Sequence, residues 1–188
     1  MSIVRHLQNI RQFEARRRPC LELVSVSMRN LLAEIRQELF PEITHSIAIK
    51  FVDSGPLACI WHDDSVAEIC IHQLLNHYDT PREVLSMIVK HELLHLRIPP
   101  VVVQGREIQH HPEFVAAQAL ICPELDATWC WLSANFADCL IVRRRREGID
   151  VRSTWKTAWG RRRLDLTESY ELLGRAPAAV PGFQCGIR

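Results

Sequence analysis

TPREVLSMIVKHELLHLRIPP, residues 80–100, has a start, a periodic apolar stripe and a stop. Thr80 suits an N-cap, Pro81 suits the first helical position, and Glu83 completes a capping box. Val84, Leu85, Ile88, Val89 and Leu96 carry the stripe to about Arg97, and Pro99-Pro100 ends it. Within this helix lies His91-Glu92-Leu93-Leu94-His95. Helical residues four apart point about 40° from each other, so His91 and His95 can offer imidazole nitrogens to one ion while Glu92 projects beside them. Neutral imidazoles suit Zn²⁺, and zinc lowers the pKa of an attached water far enough for a neighbouring carboxylate to take the proton.

Upstream of the helix the period of the pattern changes. Ile47, Ile49 and Phe51 alternate with polar or small residues, and LACIW (57–61) and AEICIH (67–72) flank the turn signal His62-Asp63-Asp64-Ser65. Three strands in an antiparallel meander are expected. Further upstream, Met28, Leu31, Leu32, Ile35 and Leu39 mark the inward face of a helix over 25–40. Ile3, Val4, Leu7, Ile10 and Phe13 mark another, which ends near Arg18 because Pro19 follows. His62, Asp63, Asp64, His72 and His77 read as turn-flanking polar residues rather than a second metal site.

Downstream, a loop of about a dozen residues leads to His110-His111-Pro112-Glu113, where Pro112 opens a helix carrying Phe114, Val115 and Leu120. Leu125, Trp129, Leu132, Phe136 and Leu140 then predict a helical seam running into the arginines, with Gly148 as its stop. Trp129 and Trp131 cannot share a helix face, so one is core and the other peripheral. Trp155 and Trp159, one turn apart, anchor a last packed segment. The fold class expected is α+β: helices on a small antiparallel sheet, in one domain over 1–173, followed by a flexible tail over 174–188.

Two imidazoles do not complete a catalytic zinc site, which takes three protein ligands and keeps the fourth position for water. His110, His111, Glu107, Glu113 and Glu124 are the candidates for the third, and spacing alone leaves them open. The run ICIHQLLNHYDTPREVLSMIVKHELLHL (69–96) followed by HHPEF (110–114) resembles the SprT-like metallopeptidases and related small zincins, in which a third His opens a motif of the form H-x-P-x-F. The resemblance implies that His110, which stands four residues before Phe114, joins His91 and His95 as ligand. It further implies a zincin-like fold with the zinc held between two helices, and hydrolysis of a protein or peptide with Glu92 as general base. It spans about residues 45–120, and the chain lacks the C-x-x-C zinc ribbon that some members carry. A weaker likeness is to IrrE-like regulatory peptidases, whose third ligand is a Glu; Glu113 and ALICP (119–123) bear on it, out of register. For the group that steadies an oxyanion, Arg97, Arg106, His111 and Tyr78 are candidates.

Composition bounds the rest. The chain has 188 residues, 47% of them hydrophobic and 24% charged, which excludes fibrous and wholly disordered classes. No apolar run is long enough for a bilayer span, and the first residues lack a secretory pattern, so the expected location is the cytoplasm without membrane attachment. Seven cysteines with no C-x-x-C pair signal neither a disulfide framework nor a zinc knuckle, and Cys59, Cys70, Cys122, Cys130 and Cys139 read as small core residues. The net charge of +1 conceals a basic block over 143–163, nine Lys or Arg against Glu147 and Asp150. Arg143, Arg144, Arg145 and Arg146, with Arg161, Arg162 and Arg163, are therefore a candidate DNA-binding surface. In that setting the competing functional class is a non-catalytic protein, stabilised by zinc, that binds through its arginines.

Overall fold

Residues 19–143 and 148–173 are described by a computed structural model of the chain. The elements run β1 (Pro19–Cys20), α1 (Met28–Leu39), β2 (Ser46–Val52), β3 (Ala58–His62), β4 (Val66–His72), a 3-10 turn (Gln73–Leu75), α2 (Arg82–Arg97), β5 (Val101–Val103), β6 (Arg106–Ile108), α3 (Pro112–Ile121), α4 (Leu125–Phe136), β7 (Leu140–Arg143), β8 (Gly148–Val151), α5 (Trp155–Trp159) and α6 (Leu166–Leu173). This is a mixed α+β architecture. The helix expected around Ile3–Phe13 and the tail over 174–188 lie outside the described residues. No described helix is long and apolar enough to cross a membrane.

The main sheet has the order β1-β2-β4-β3, and it corrects the expected antiparallel meander. Strand β4 pairs with β3 antiparallel but with β2 in parallel. The reason lies in burial: Ala67 and Ile69–His72 are buried, so β4 takes the centre, where a strand is covered on both faces. Strand β3 ends in exposed Trp61 and His62 and takes the edge. Lys50 on β2 reaches Glu68 on β4 at 2.8 Å across the parallel ladder.

Helix α2 is the centre of the core. Val84, Leu85, Met87, Ile88, Val89, Leu93 and Leu94 are all buried, and the helix contacts α1, β3, α3 and α4. Each large apolar side chain so buried stabilises the fold by about 1.5–3 kcal/mol before ordering costs. Thr80 does not cap this helix as expected. Pro81 occupies the N-cap without a side-chain bond, because the buried Thr80 hydroxyl donates to Leu75 O at 2.8 Å and accepts from Arg163 Nη1 at 2.8 Å.

Two further corrections follow along the chain. The expected loop after Pro100 is a hairpin, β5 with β6, whose two-residue turn places Gln104 at φ 51° and Gly105 at φ 76°. Two successive positive φ angles define the turn that matches strand twist, and Gly is suited to the second position. The helical seam expected to reach Leu140 stops at Phe136. Leu140-Ile141-Val142 instead forms β7, paired with Gly148–Val151, so Gly148 opens a strand rather than stopping a helix. Trp131 is core, donating its indole N–H to Leu164 O at 2.7 Å, while Trp129 is only partly buried. Leu120 is 84% exposed; Gln118 takes the buried position on α3.

The basic block is not one surface. Arg163 is buried, with Nη2 donating to Leu74 O at 3.3 Å and its guanidinium 5.2 Å from the Phe136 ring centroid. Arg161 pairs with Asp138 at 2.8 Å, and Arg162 lies 3.4 Å from Glu168. Arg143 lies on β7, and Arg144, Arg145 and Arg146 lie outside the described residues. Arg163 therefore joins the 3-10 turn, the start of α2 and the end of α4. Arg163→Ala is expected to lower the unfolding free energy by about 2 kcal/mol in urea denaturation. The exposed Arg162→Ala should change it by less than about 0.5 kcal/mol. Equal, small effects would contradict the assigned difference.

Candidate metal centre

Helix α2 points His91 and His95 the same way, and the hairpin β5–β6 returns the chain so that His110 arrives at the start of α3. His91 Nε2 lies 3.2 Å from His95 Nε2 and 3.1 Å from His110 Nε2. One ring nitrogen from each of the three residues falls within 4.8 Å of the others. In a tetrahedral site with metal–nitrogen bonds of about 2.0–2.1 Å, ligand nitrogens lie about 3.3 Å apart, so the spacing fits a shared ion. The donor set fits as well. Burial, with the neighbouring imidazoles, holds His91 well below the usual histidine range and pushes His95 down to about 4. At neutral pH both rings are uncharged and present lone pairs.

Phe114 forms the floor of the cluster. Its buried ring lies 5.2, 4.5 and 4.9 Å, centroid to centroid, from the rings of His91, His95 and His110. This is the physical content of the spacing between His110 and Phe114: one residue of α3 packs against all three imidazoles. Gln118, one turn further along α3 and buried, is placed beside His91 as a side-chain partner. A partner of this kind fixes ring orientation and tautomer in metal-binding histidines.

The alternative third ligands are elsewhere. His111 is buried with Nε2 3.3 Å from Pro99 O. Glu107 and Glu113 are exposed on β6 and α3, and Glu124 pairs with Lys90 at 2.7 Å. Of the oxyanion candidates, Arg97 is tied to Glu42 at 2.6 Å and to Leu39 O, with its guanidinium 4.3 Å from the Phe40 ring centroid. Arg106 is exposed, and Tyr78, 68% exposed, stacks on His77. Among the other polar residues of the turns, Asp63 caps its own turn by accepting from Ser65 N and Val66 N, both at 2.8 Å. His72 Nδ1 accepts from Leu74 N at 3.0 Å. These contacts are structural.

Glu92 is buried beside the cluster, on the sheet side of α2. Burial raises its carboxyl well above the usual range, nearby Cys59 adds to the shift, and a hydrogen bond from Ile60 N–H partly offsets both. That donor belongs to edge strand β3. Sequence reading missed both Ile60 N–H and Gln118, because a backbone donor leaves no residue signature and a Gln on an apolar helix carries no motif. His62, at the end of β3, is close enough for its charge to depress His95 further.

No family model, curated protein or solved structure matches this chain. The grouping of His91, His95 and His110 therefore carries the assignment of a centre that could hold a metal ion. Co²⁺, whose visible absorption reports tetrahedral coordination, is a direct probe. His110→Ala is expected to abolish the Co²⁺ spectrum, while His111→Ala retains it. Gln118→Ala should weaken Co²⁺ binding by about 10–100-fold. Retention of the spectrum in His110→Ala would remove His110 from the site.

Proposed function

We propose that this chain is a zinc-dependent metallopeptidase of zincin-like fold, acting on a protein or peptide substrate. The observation that carries the reading is the convergence of three imidazole nitrogens beside a buried glutamate on one helix. The SprT-like resemblance of residues 69–96 and 110–114 supports the same class.

In this reading His91, His95 and His110 hold Zn²⁺, and Glu92 is not a ligand. When bound, zinc supplies Lewis acidity for a peptide carbonyl and brings the pKa of an attached water toward neutrality. Glu92 receives a proton from the attacking water at its carboxylate and delivers it to the departing amine nitrogen. Burial raises the Glu92 carboxyl above the ordinary carboxylate range, which favours holding the proton it receives until the amine departs. Ile60 N–H is placed to donate to this carboxylate and Gln118 to partner the His91 ring, which would orient both groups. Phe114 excludes water from beneath the imidazoles.

Of the basic cluster, Arg143, Arg144, Arg145 and Arg146 are the proposed nucleic-acid contact; Arg163 is buried within the fold, while Arg161 and Arg162 are exposed beside Asp138 and Glu168. Under that extension the peptidase would act on proteins associated with DNA.

Glu92→Gln separates chemistry from binding. The variant is expected to keep its zinc, because the amide leaves the three imidazoles intact. It should lose peptide hydrolysis by about 10²–10⁴-fold, because an amide cannot take the proton. Undiminished hydrolysis in zinc-loaded Glu92→Gln would overturn the role, and loss of zinc would place Glu92 in the coordination sphere.

A further inference from the structure

Cys59 and Cys70 face each other across the ladder between β3 and β4. The phase of that ladder is set at both ends: Asp63 N–H donates to Val66 O at 3.0 Å, and His72 N–H donates to Leu57 O at 2.8 Å. Hydrogen-bonded pairs therefore fall at Leu57/His72, Cys59/Cys70, Trp61/Glu68 and Asp63/Val66, because such pairs alternate along an antiparallel ladder. At a hydrogen-bonded pair the Cα atoms are about 5.5 Å apart. A disulfide spans about 4.4–6.8 Å between Cα atoms and about 3.5–4.5 Å between Cβ atoms, so closing one here must draw together Cβ atoms that lie about 5 Å apart across the ladder, which an edge strand is free to allow. Directly opposed residues also project from the same face of the sheet.

The side chains use this proximity. Both residues are thiols; Cys70 Sγ donates to Glu68 Oε2 at 3.7 Å, and the Cys59 thiol across the ladder acts on it electrostatically. Cys70 is buried on the central strand, whereas Cys59 is half-buried on the edge strand. A small reagent thus meets Cys59 first, with the second sulfur positioned behind it. Among the described residues no other two cysteines share a ladder position. Cys20 donates instead to Gln73 Oε1 at 3.0 Å.

We propose that Cys59 and Cys70 form a thiol–disulfide exchange site, which a low-molecular-weight disulfide such as oxidised glutathione closes into a cross-strand disulfide. In the first step the Cys59 thiolate attacks one glutathione sulfur. A Cys59–glutathione bond forms, the glutathione S–S bond breaks, and one glutathione leaves as a thiol with the proton Cys59 gave up. In the second step the Cys70 thiolate attacks Cys59 Sγ, forming the Cys59–Cys70 bond and expelling the second glutathione, which takes the Cys70 proton. The two protein thiols lose two electrons in total, and one glutathione disulfide becomes two thiols. The half-buried position of Cys59 on the edge strand assigns it the first attack, and the Cys70 thiol, held well above its ordinary range by Cys59 and by burial, follows. The new bond would lie one residue from Ile60, whose N–H holds Glu92. The site itself rests on ladder geometry and is independent of the peptidase reading.

The test treats the full chain with oxidised glutathione, alkylates remaining thiols and maps the products by mass spectrometry. Trypsin leaves both cysteines on the peptide between Lys50 and Arg82, and cleavage after Glu68 separates them unless they are joined. The expected product is lighter by two hydrogens, stays joined after cleavage at Glu68, and separates on adding dithiothreitol. In Cys70→Ala the reaction should stop at a lasting glutathione adduct on Cys59. A wild-type adduct on Cys59 that never resolves, joining of either cysteine to a different one, or no change at Cys59 would each overturn the proposal. The wild-type measurement decides even if Cys70→Ala fails to fold.

Discussion

Helix α2 must be buried on nearly every side and yet carry His91, Glu92 and His95 in its last two turns. Buried polar groups are costly unless paired, and much of the surrounding structure supplies the pairing. Phe114 and Gln118 on α3 approach the imidazoles from one side, and Ile60 N–H on β3 reaches Glu92 from the other. The hairpin β5–β6 delivers His110 to complete the group. Arg163 and the Thr80 hydroxyl secure the opposite end of the helix against the 3-10 turn.

Edge strand β3 links the parts. Its hydrogen-bonded positions pair with β4, and the alternating positions turn their backbone groups outward, which is how Ile60 N–H becomes available to Glu92. The same alternation places Cys59 opposite Cys70 and leaves His62 at the end of the strand, near His95. One ladder phase, fixed by the turn at Asp63, thus positions a donor for a carboxylate and a pair of thiols. A slip of one residue would exchange all of these positions.

The helix of residues 82–97 and the histidine spacing were legible because helical periodicity and the four-residue interval are local properties. His110 was legible through its distance from Phe114, whose ring packs against all three imidazoles. The pairing of β2 with β4 was not, because strand order depends on which strand is covered on both faces, a property of the assembled layers. Thr80 has the chemistry of a cap, but tertiary contacts with Leu75 and Arg163 claimed its hydroxyl. The arginines of 161–163 read as one charged patch, yet their side chains diverge into a buried site and two ion pairs. Leu140 continued a helical apolar spacing while opening a β-branched run, and the local preference of Ile141 and Val142 prevailed.

The central claim is that three imidazoles, and no further side chain, hold the ion. X-ray absorption spectroscopy of the zinc-loaded protein counts them directly, since imidazole rings give distinctive multiple scattering and sulfur lies farther from zinc than nitrogen or oxygen. The arrangement of His91, His95 and His110 predicts three imidazoles and one light-atom donor exchangeable with solvent. Four protein ligands, a sulfur in the sphere, or only two imidazoles would contradict it.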